Sequence, residues 1–387
     1  MVQANFGSGS PPVDDTWQHA RFHRRERSPQ LKKIAPTIAK IGLSVALLSY
    51  LGWQAANATR LAPTPDDPNH KVYILPELLA GPKDWGLLGL ALLAVLAAVV
   101  ITILRWHMLL RTLGLQFTVQ ESLRAGFVGY LFNLLPLGLA GADAVKAGFL
   151  IHRNPSRKTE AIATVVIDRI IGLYALLVMA GVAALQFDLP QLSFRPETAE
   201  RDRAATLLFC SLAQYVALGS TIAFVIMLIP GVTELKLWDK LEHVPGVGLV
   251  FKKLVAAMRT YRQSTPRILL ALAMSFAVHT LYVGMVYLCG RGLCSPQPPL
   301  ASHFAFVPIS MVANALPIGA FEATLNGLYY VFSPNSPEIQ GFLIALTYRV
   351  LQISVATIGV FYYLAGRQEV QQLLDEVEQN EVLPATK

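Results

Sequence analysis

The chain has 387 residues, of which 53% are hydrophobic and 15% charged, and its formal net charge is +7. Soluble domains carry about 25% charged residues, so this composition excludes an ordinary soluble protein and indicates a membrane protein. The positive charge does not indicate a nucleic-acid partner, because the basic residues cluster between apolar segments, as in cytoplasmic loops. The three cysteines fit no metal motif, and we expect neither a metal site nor a cofactor.

The N-terminal region, residues 1–33, is polar and then basic, which predicts a disordered cytoplasmic tail ending at the membrane surface. The apolar segment 34–56 is longer than the core of a typical signal peptide and favours an uncleaved signal anchor. We therefore expect a cytoplasmic N-terminus, a multi-pass domain at 34–366 in the inner (cytoplasmic) membrane, and an acidic C-terminal tail at 367–387.

After the signal anchor, the charges predict one crossing and one hairpin. The loop 57–83 is expected outside, and the span at about 84–106 returns to the cytoplasm, where Arg105 and Arg111 close it. The segment 122–152 has basic residues on both sides, so both of its ends are expected in the cytoplasm. We interpret it as a re-entrant, broken hairpin rather than a full crossing.

The second half of the domain repeats this plan after a basic connection at 231–266. In that connection apolar residues recur every three or four positions, which fits either an amphipathic helix on the membrane surface or a packed connector helix. The segment 300–333 is predicted to be a second re-entrant hairpin, entering from the outside. The remaining crossings are predicted at 159–187, 205–229, 267–290 and 338–366.

One helix-breaking pattern occurs in both hairpins, as Asn-Leu-Leu-Pro-Leu-Gly at 133–138 and Asn-Ala-Leu-Pro-Ile-Gly at 314–319. Each copy is followed by an acid and then by an arginine inside the next apolar segment. Proline and glycine break helices, and charges are costly in hydrocarbon, so the matched copies indicate a duplicated site. The acids and arginines are Asp143 with Arg169, 26 residues apart, and Glu322 with Arg349, 27 residues apart.

The predicted fold class is an all-α polytopic membrane protein with about six full spans plus two broken re-entrant hairpins. Span, hairpin and span recur in units of about 84–187 and 267–366, with opposite predicted orientations. Such an inverted repeat is the plan of many secondary transporters, whose broken helices form the binding site.

The predicted breaks supply groups that suit an anionic headgroup. Asn133 and Asn314 offer donors and acceptors to the interrupted backbone. Glycines allow a left-handed φ and close backbone approach, and a helix that begins at a break directs its positive end into the cavity. Alternatively, the breaks only permit tight packing. The helix-breaking residues are Pro136, Gly138, Pro317 and Gly319, and Gly141 adds a further glycine in the first copy.

Charged residues inside the apolar segments are the second candidate feature. Asp143 and Lys146 share one face of the predicted helix. Asp168 and Arg169 lie within a span, where a charge costs about 2.5–3.5 kcal/mol unless it is paired or hydrated.

We expect the acid and the arginine of each copy to pair, because each hairpin should pack on the span that follows it. The pairs either pin the hairpins structurally or leave an arginine for a phosphate group, which the guanidinium fork suits.

This pattern resembles the lysylphosphatidylglycerol synthase transmembrane family, the flippase-like membrane region of the multiple peptide resistance factor. The likeness covers about residues 84–366 and is most specific from Asn133 to Lys146 and at Asp168-Arg169. The family usually has arginine at the position of Lys146 and glutamate at that of Asp168. The second copy departs further, since the usual glycine-rich run is reduced before its glutamate.

The resemblance implies binding and translocation of a membrane phospholipid or isoprenoid-linked lipid, without lysine transfer, since we expect no aminoacyl-transfer domain. The alternative is a non-transporting scaffold or accessory subunit with a lipid-modifying enzyme as partner. No nucleophile motif or P-loop is present, so we expect no enzyme and name no catalytic residue. The predicted substrate-binding residues are Asn133, Gly141, Asp143, Lys146, Asp168, Arg169, Asn314, Glu322 and Arg349.

Overall fold

A computed structural model describes residues 49–366 apart from 51, 54–55, 58, 62–70, 135–137, 186–198, 230–260, 262–263, 294–296, 316–318 and 334–338. The predicted tails, nearly all of the signal anchor and most of the connection 231–266 lie outside the described residues.

The described residues form helices, with one small sheet near their start. In that sheet β1 (Thr59–Leu61) pairs antiparallel with β2 (Lys71–Tyr73), so the predicted loop at 57–83 contains regular structure. The helices are α1 (Ile74–Ala80), α2 (Trp85–Thr112), α3 (Val119–Leu134), α4 (Gly138–Arg153), α5 (Lys158–Ala184), α6 (Ala199–Leu228), α7 (Thr265–Leu293), α8 (Leu300–Val312), α9 (Ala320–Phe332) and α10 (Gln340–Ala365).

Four helices, α2, α5, α7 and α10, are long and apolar enough to cross a membrane. The side chain of Asp84 begins α2 by accepting the N–H of Leu87. The helix of the span predicted at about 84–106 continues to Thr112, so Arg105 lies inside the helix and not at its end. A shorter apolar stretch, Cys210–Ile226, lies in α6, which packs beside α5.

Both broken segments are hairpins whose arms fold back on each other. In the first hairpin (α3 and α4), a Cβ on Gly129 would lie 3.1 Å from the carbonyl oxygen of Ala142. In the second hairpin (α8 and α9), the ring of Phe306 lies 5.5 Å from that of Tyr329. The arms have 13 or 16 residues, about 20–24 Å, which is shorter than the roughly 30 Å hydrocarbon core. The tips, with Pro136 and Pro317, lie outside the described residues.

The two units are inverted relative to each other, as predicted. Their first helices, α2 and α7, run antiparallel, since the N–H of Asp84 donates to the carbonyl of Gly292 and Arg105 donates to Ser275. Each hairpin packs on the last helix of the other unit, α3 on α10 and α8 on α5. Because each hairpin follows the end of its own first helix, the hairpins enter the bundle from opposite ends.

The end at which α2 ends and α5 and α7 begin is rich in cations, and we call it the basic end. The base of the first hairpin is tied there, because Asn154 exchanges hydrogen bonds with the backbone of Gln116 and Arg157 donates to the carbonyls of Leu113 and Gly114. The described cations of this end include Arg111, Arg153, Arg157, Lys158 and Arg267.

Candidate functional site: two ion pairs on two broken hairpins

The first hairpin carries a partly exposed ion pair, which we call the open pair. The Nε of Arg169 donates to both carboxylate oxygens of Asp143, at 2.8 and 3.0 Å. The Arg169 side chain is 40% exposed, and that of Asp143 is 29% exposed. Among the described residues, no acceptor bonds the two terminal nitrogens of Arg169. The predicted pairing is confirmed, and it leaves most of the guanidinium donors unused.

The second hairpin carries the matching pair of Glu322 with Arg349, which we call the buried pair. Here all three guanidinium nitrogens have partners, since the terminal ones donate to Gln352 at 3.3 Å and to Asn314 at 3.1 Å. The cation also lies over the rings of Phe321 and Tyr348. This predicted pairing is also confirmed, with a fully bonded arginine.

The carboxylate of Glu322 also holds the start of α9. Its side chain is 1% exposed, and its Oε2 accepts the N–H of Gly319 at 3.0 Å. Gly319 has φ 105°, a left-handed conformation that suits glycine. In the first copy, Gly138 and Gly141 lie within the helix α4, which begins at Gly138. Gly319 thus shows the left-handed conformation that the sequence predicted for a glycine at a break.

The two asparagines of the repeated pattern differ in the same way. Asn314 accepts a hydrogen bond from Arg349, so it ties the break to α10 rather than to the interrupted backbone. Asn133 is half-buried, and the structure gives its side chain no hydrogen bond to a described residue. The first asparagine is thus available for another partner.

A second cluster of charges lies buried beside the open pair. The Nε of Arg105 donates to Asp168 at 2.8 Å, and the ammonium of Lys146 lies 3.8 Å from the same carboxylate and 5.2 Å from the centre of the Trp106 ring. Each of the three charged side chains is at most 9% exposed. The remaining guanidinium nitrogens of Arg105 donate to the backbone of Asp168 and to Ser275.

Arg105 is the functional candidate that the sequence interpretation missed. An arginine near the end of an apolar run is either an anchor at the membrane surface or the partner of a buried acid. The second cation, Arg111, favoured the interpretation as a surface anchor. Gly172, one turn after Asp168, is a further signal, because a Cβ there would lie 3.3 Å from both terminal nitrogens of Arg105.

The charges of the two sites do not balance equally. Among the residues that the structure describes around the first hairpin, three cations, Arg105, Lys146 and Arg169, face two carboxylates, Asp143 and Asp168. The buried pair of the second hairpin has one cation and one carboxylate. A surplus positive charge inside an apolar bundle is costly unless an anion compensates it.

Two buried polar atoms near the sites lack hydrogen-bond partners among the described residues, the hydroxyl of Tyr130 and Nδ1 of His279. The Nε2 of His279 lies 3.0 Å from the carbonyl oxygen of Gly172, close to Arg105. Tyr130 packs against the core cluster that contains Tyr348, beside the buried pair. Buried polar atoms are normally satisfied by protein, water or ligand, so these atoms mark one polar position beside Arg105 and another beside the buried pair.

The fold and these charges define a class, an all-α polytopic membrane protein with an inverted repeat and charged sites on two broken hairpins. The family model described as "Lysylphosphatidylglycerol synthase TM region" matches residues 75–359. The chain therefore belongs to this family, as the sequence resemblance predicted. No curated protein and no solved structure matches the chain.

Proposed function

We propose that this protein binds the phosphate-bearing headgroup of an anionic phospholipid or isoprenoid-linked lipid and moves that lipid across the cytoplasmic membrane. The observation that carries the proposal is the open pair, in which Arg169 keeps both terminal nitrogens free of described partners while 40% of its side chain is exposed. A guanidinium with this free edge can bind a phosphate through two parallel hydrogen bonds.

The charge surplus around the first hairpin supports the same ligand. A bound phosphate would compensate the third cation, and Lys146 lies on the same helix as the Asp143 carboxylate that already holds Arg169. The phosphate and Asp143 compete for one guanidinium. Binding therefore weakens the contact between α4 and α5 and couples the ligand to the position of the first hairpin.

The inverted hairpins supply a route for the headgroup. One hairpin enters from each end of the bundle, so a headgroup at their tips can be exposed to one side at a time, as in other inverted-repeat transporters. Tyr130 and His279 offer hydrogen bonds along the way from the open pair toward the buried pair. The lipid tails remain in the bilayer, against the apolar outer faces of the helices.

In this proposal the protein carries out no chemical step, and the basic end faces the cytoplasm, in keeping with the positive-inside rule. The N-terminus would then be cytoplasmic. A lipid-modifying enzyme that supplies or consumes the lipid is a natural partner.

The test is translocation of a fluorescent anionic lipid by the purified protein in vesicles. Replacing the open pair by the neutral pair Asp143→Asn with Arg169→Gln leaves neither charge unpaired, and we expect it to abolish translocation. The matched control is Arg291→Gln, which removes an exposed arginine in the last turn of α7 and should leave translocation unchanged.

Equal translocation by the neutral pair and the control would remove the open pair from the mechanism. A wild-type protein that moves no lipid but copurifies with a lipid-modifying enzyme would instead support the scaffold alternative.

A further inference from the structure

A pocket at the basic end lies outside the two ion pairs. Its volume is about 460 Å³, within the roughly 300–1,000 Å³ of small-molecule sites. It lies between the end of α2, the beginning of α3 and the end of α4. The lining includes His107, Arg111, Phe117, Val119, Glu121 and Arg153.

The charges of the pocket favour an anion. Arg111 is exposed and has no carboxylate partner among the described residues. Arg153 is 62% exposed, and its ion pair with Glu121 has a distance of 3.4 Å. The other carboxylate oxygen of Glu121 accepts the N–H and hydroxyl of Thr118 at the start of α3. Two arginines and the positive end of α3 therefore face one carboxylate that is already engaged.

The remaining lining suits an amphipathic ligand. Phe117 is 5% exposed at the pocket and Val119 is 46% exposed, so an apolar surface continues from the charged groups outward. His107 shares a hydrogen bond with Ser122 through Nδ1 at 2.8 Å. A headgroup phosphate would lie on the arginines while the adjoining apolar part of a lipid follows Val119 into the membrane.

We infer that this pocket is a binding site for the phosphate group of an anionic lipid headgroup at the membrane surface. The inference depends on the fold and not on translocation. The floor of the pocket connects to the first hairpin, because the rings of Phe117 and Trp106 lie 5.9 Å apart and the ammonium of Lys146 on α4 lies 5.2 Å from the centre of the Trp106 ring. A ligand there bridges α2, α3 and α4 and fixes the base of that hairpin.

Binding is measured on the full chain in two arms. Native mass spectrometry counts phosphatidylglycerol retained in competition with zwitterionic phosphatidylcholine, and calorimetry measures binding of soluble glycerol phosphate, which presents the same phosphate chemistry. We expect Arg111→Gln with Arg153→Gln to weaken phosphatidylglycerol binding by about tenfold or more, the loss of at least one charge-assisted hydrogen bond. The matched control is Arg267→Gln, an exposed arginine of the same end outside the pocket lining.

The single variant Arg111→Gln keeps the Arg153–Glu121 pair and guards against loss of folding. A selective loss in either arm relative to the control supports the site, and the arm identifies a lipid or a soluble phosphate ester as the source. Equal binding by the pocket variants and Arg267→Gln in both arms overturns the inference. Since neither arm requires lipid movement, failure of the translocation assay does not decide this result.

Discussion

The two hairpins carry the same helix-breaking pattern and the same acid–arginine pair, yet they use the arginine differently. Arg169 of the open pair bonds one carboxylate through one nitrogen, whereas Arg349 of the buried pair bonds three side chains. The acid of the first pair is 29% exposed and that of the second is 1% exposed. The difference teaches that a duplicated motif can diverge in its bonding, with one arginine partly exposed and bonded through a single nitrogen and the other bonded through all three of its nitrogens.

The largest expected effect comes from neutralising the two acids separately. Glu322→Gln leaves Arg349 beside a neutral group and should lower the free energy of unfolding by about 3 kcal/mol, near the lower bound for a broken buried pair. Asp143→Asn breaks an exposed pair and should cost about 0–1 kcal/mol. Unfolding of each purified variant, followed by its helical signal, measures the difference.

Similar losses for Glu322→Gln and Asp143→Asn would show that the exposure of the two acids does not distinguish the pairs. The wild-type protein in the same detergent is the reference for both variants.

The second largest effect is expected when each arginine is replaced by lysine, which retains the positive charge. Arg349→Lys loses hydrogen bonds to Gln352 and Asn314 and should lower stability by about 1–2 kcal/mol. Arg169→Lys should cost less than about 1 kcal/mol, yet reduce lipid translocation, because an ammonium lacks the planar fork. Parallel unfolding and vesicle assays should therefore rank the two variants in opposite orders.

If Arg169→Lys translocates lipid like the wild-type protein, a point charge is sufficient and bidentate binding is not required. If Arg349→Lys alone loses translocation at unchanged stability, the functional assignment of the two copies is reversed.

The acid–arginine pairs were predictable from the sequence because each hairpin packs its second arm near the following span. Their spacings of 26 and 27 residues are properties of one continuous stretch of chain. Reversal of the chain at each Asn-x-Leu-Pro-x-Gly pattern was predictable for the same local reason.

The buried cluster around Asp168 was not predictable, because it depends on distant helices. Asp168 meets Arg105 from α2, 63 residues earlier in the chain, and Ser275 from α7 contributes the next hydrogen bond. Nothing local distinguishes Arg105 from a surface anchor. The glycines show the same limit, since Gly138 and Gly319 occupy equal positions of the pattern, yet Gly138 begins the helix α4 whereas Gly319 precedes α9 with a positive φ.

Glycine substitutions in the second hairpin test that contrast with a smaller effect. Gly319→Ala forces a side chain into a left-handed conformation and should lower stability by about 1–2 kcal/mol. Gly327→Ala, in the exposed interior of α9 with no atom within 4 Å of the added Cβ, should raise stability by about 0.5–1 kcal/mol. Opposite shifts of the unfolding midpoint are expected, and a stabilising Gly319→Ala would contradict the strained start of α9.

The smallest expected effect on stability comes from replacing the two asparagines. These variants distinguish a structural role from a binding role most directly. Asn314→Ala removes one acceptor of Arg349 and should lower stability by about 0.5–1.5 kcal/mol, whereas Asn133→Ala removes no hydrogen bond to a described residue and should leave the unfolding midpoint unchanged. Asn133 lies near the end of α3 in the first hairpin, and we expect its amide to bind a headgroup there. Asn133→Ala should therefore slow translocation without loss of stability, and a destabilised Asn133→Ala variant would give this residue the structural role that Asn314 has in the second copy.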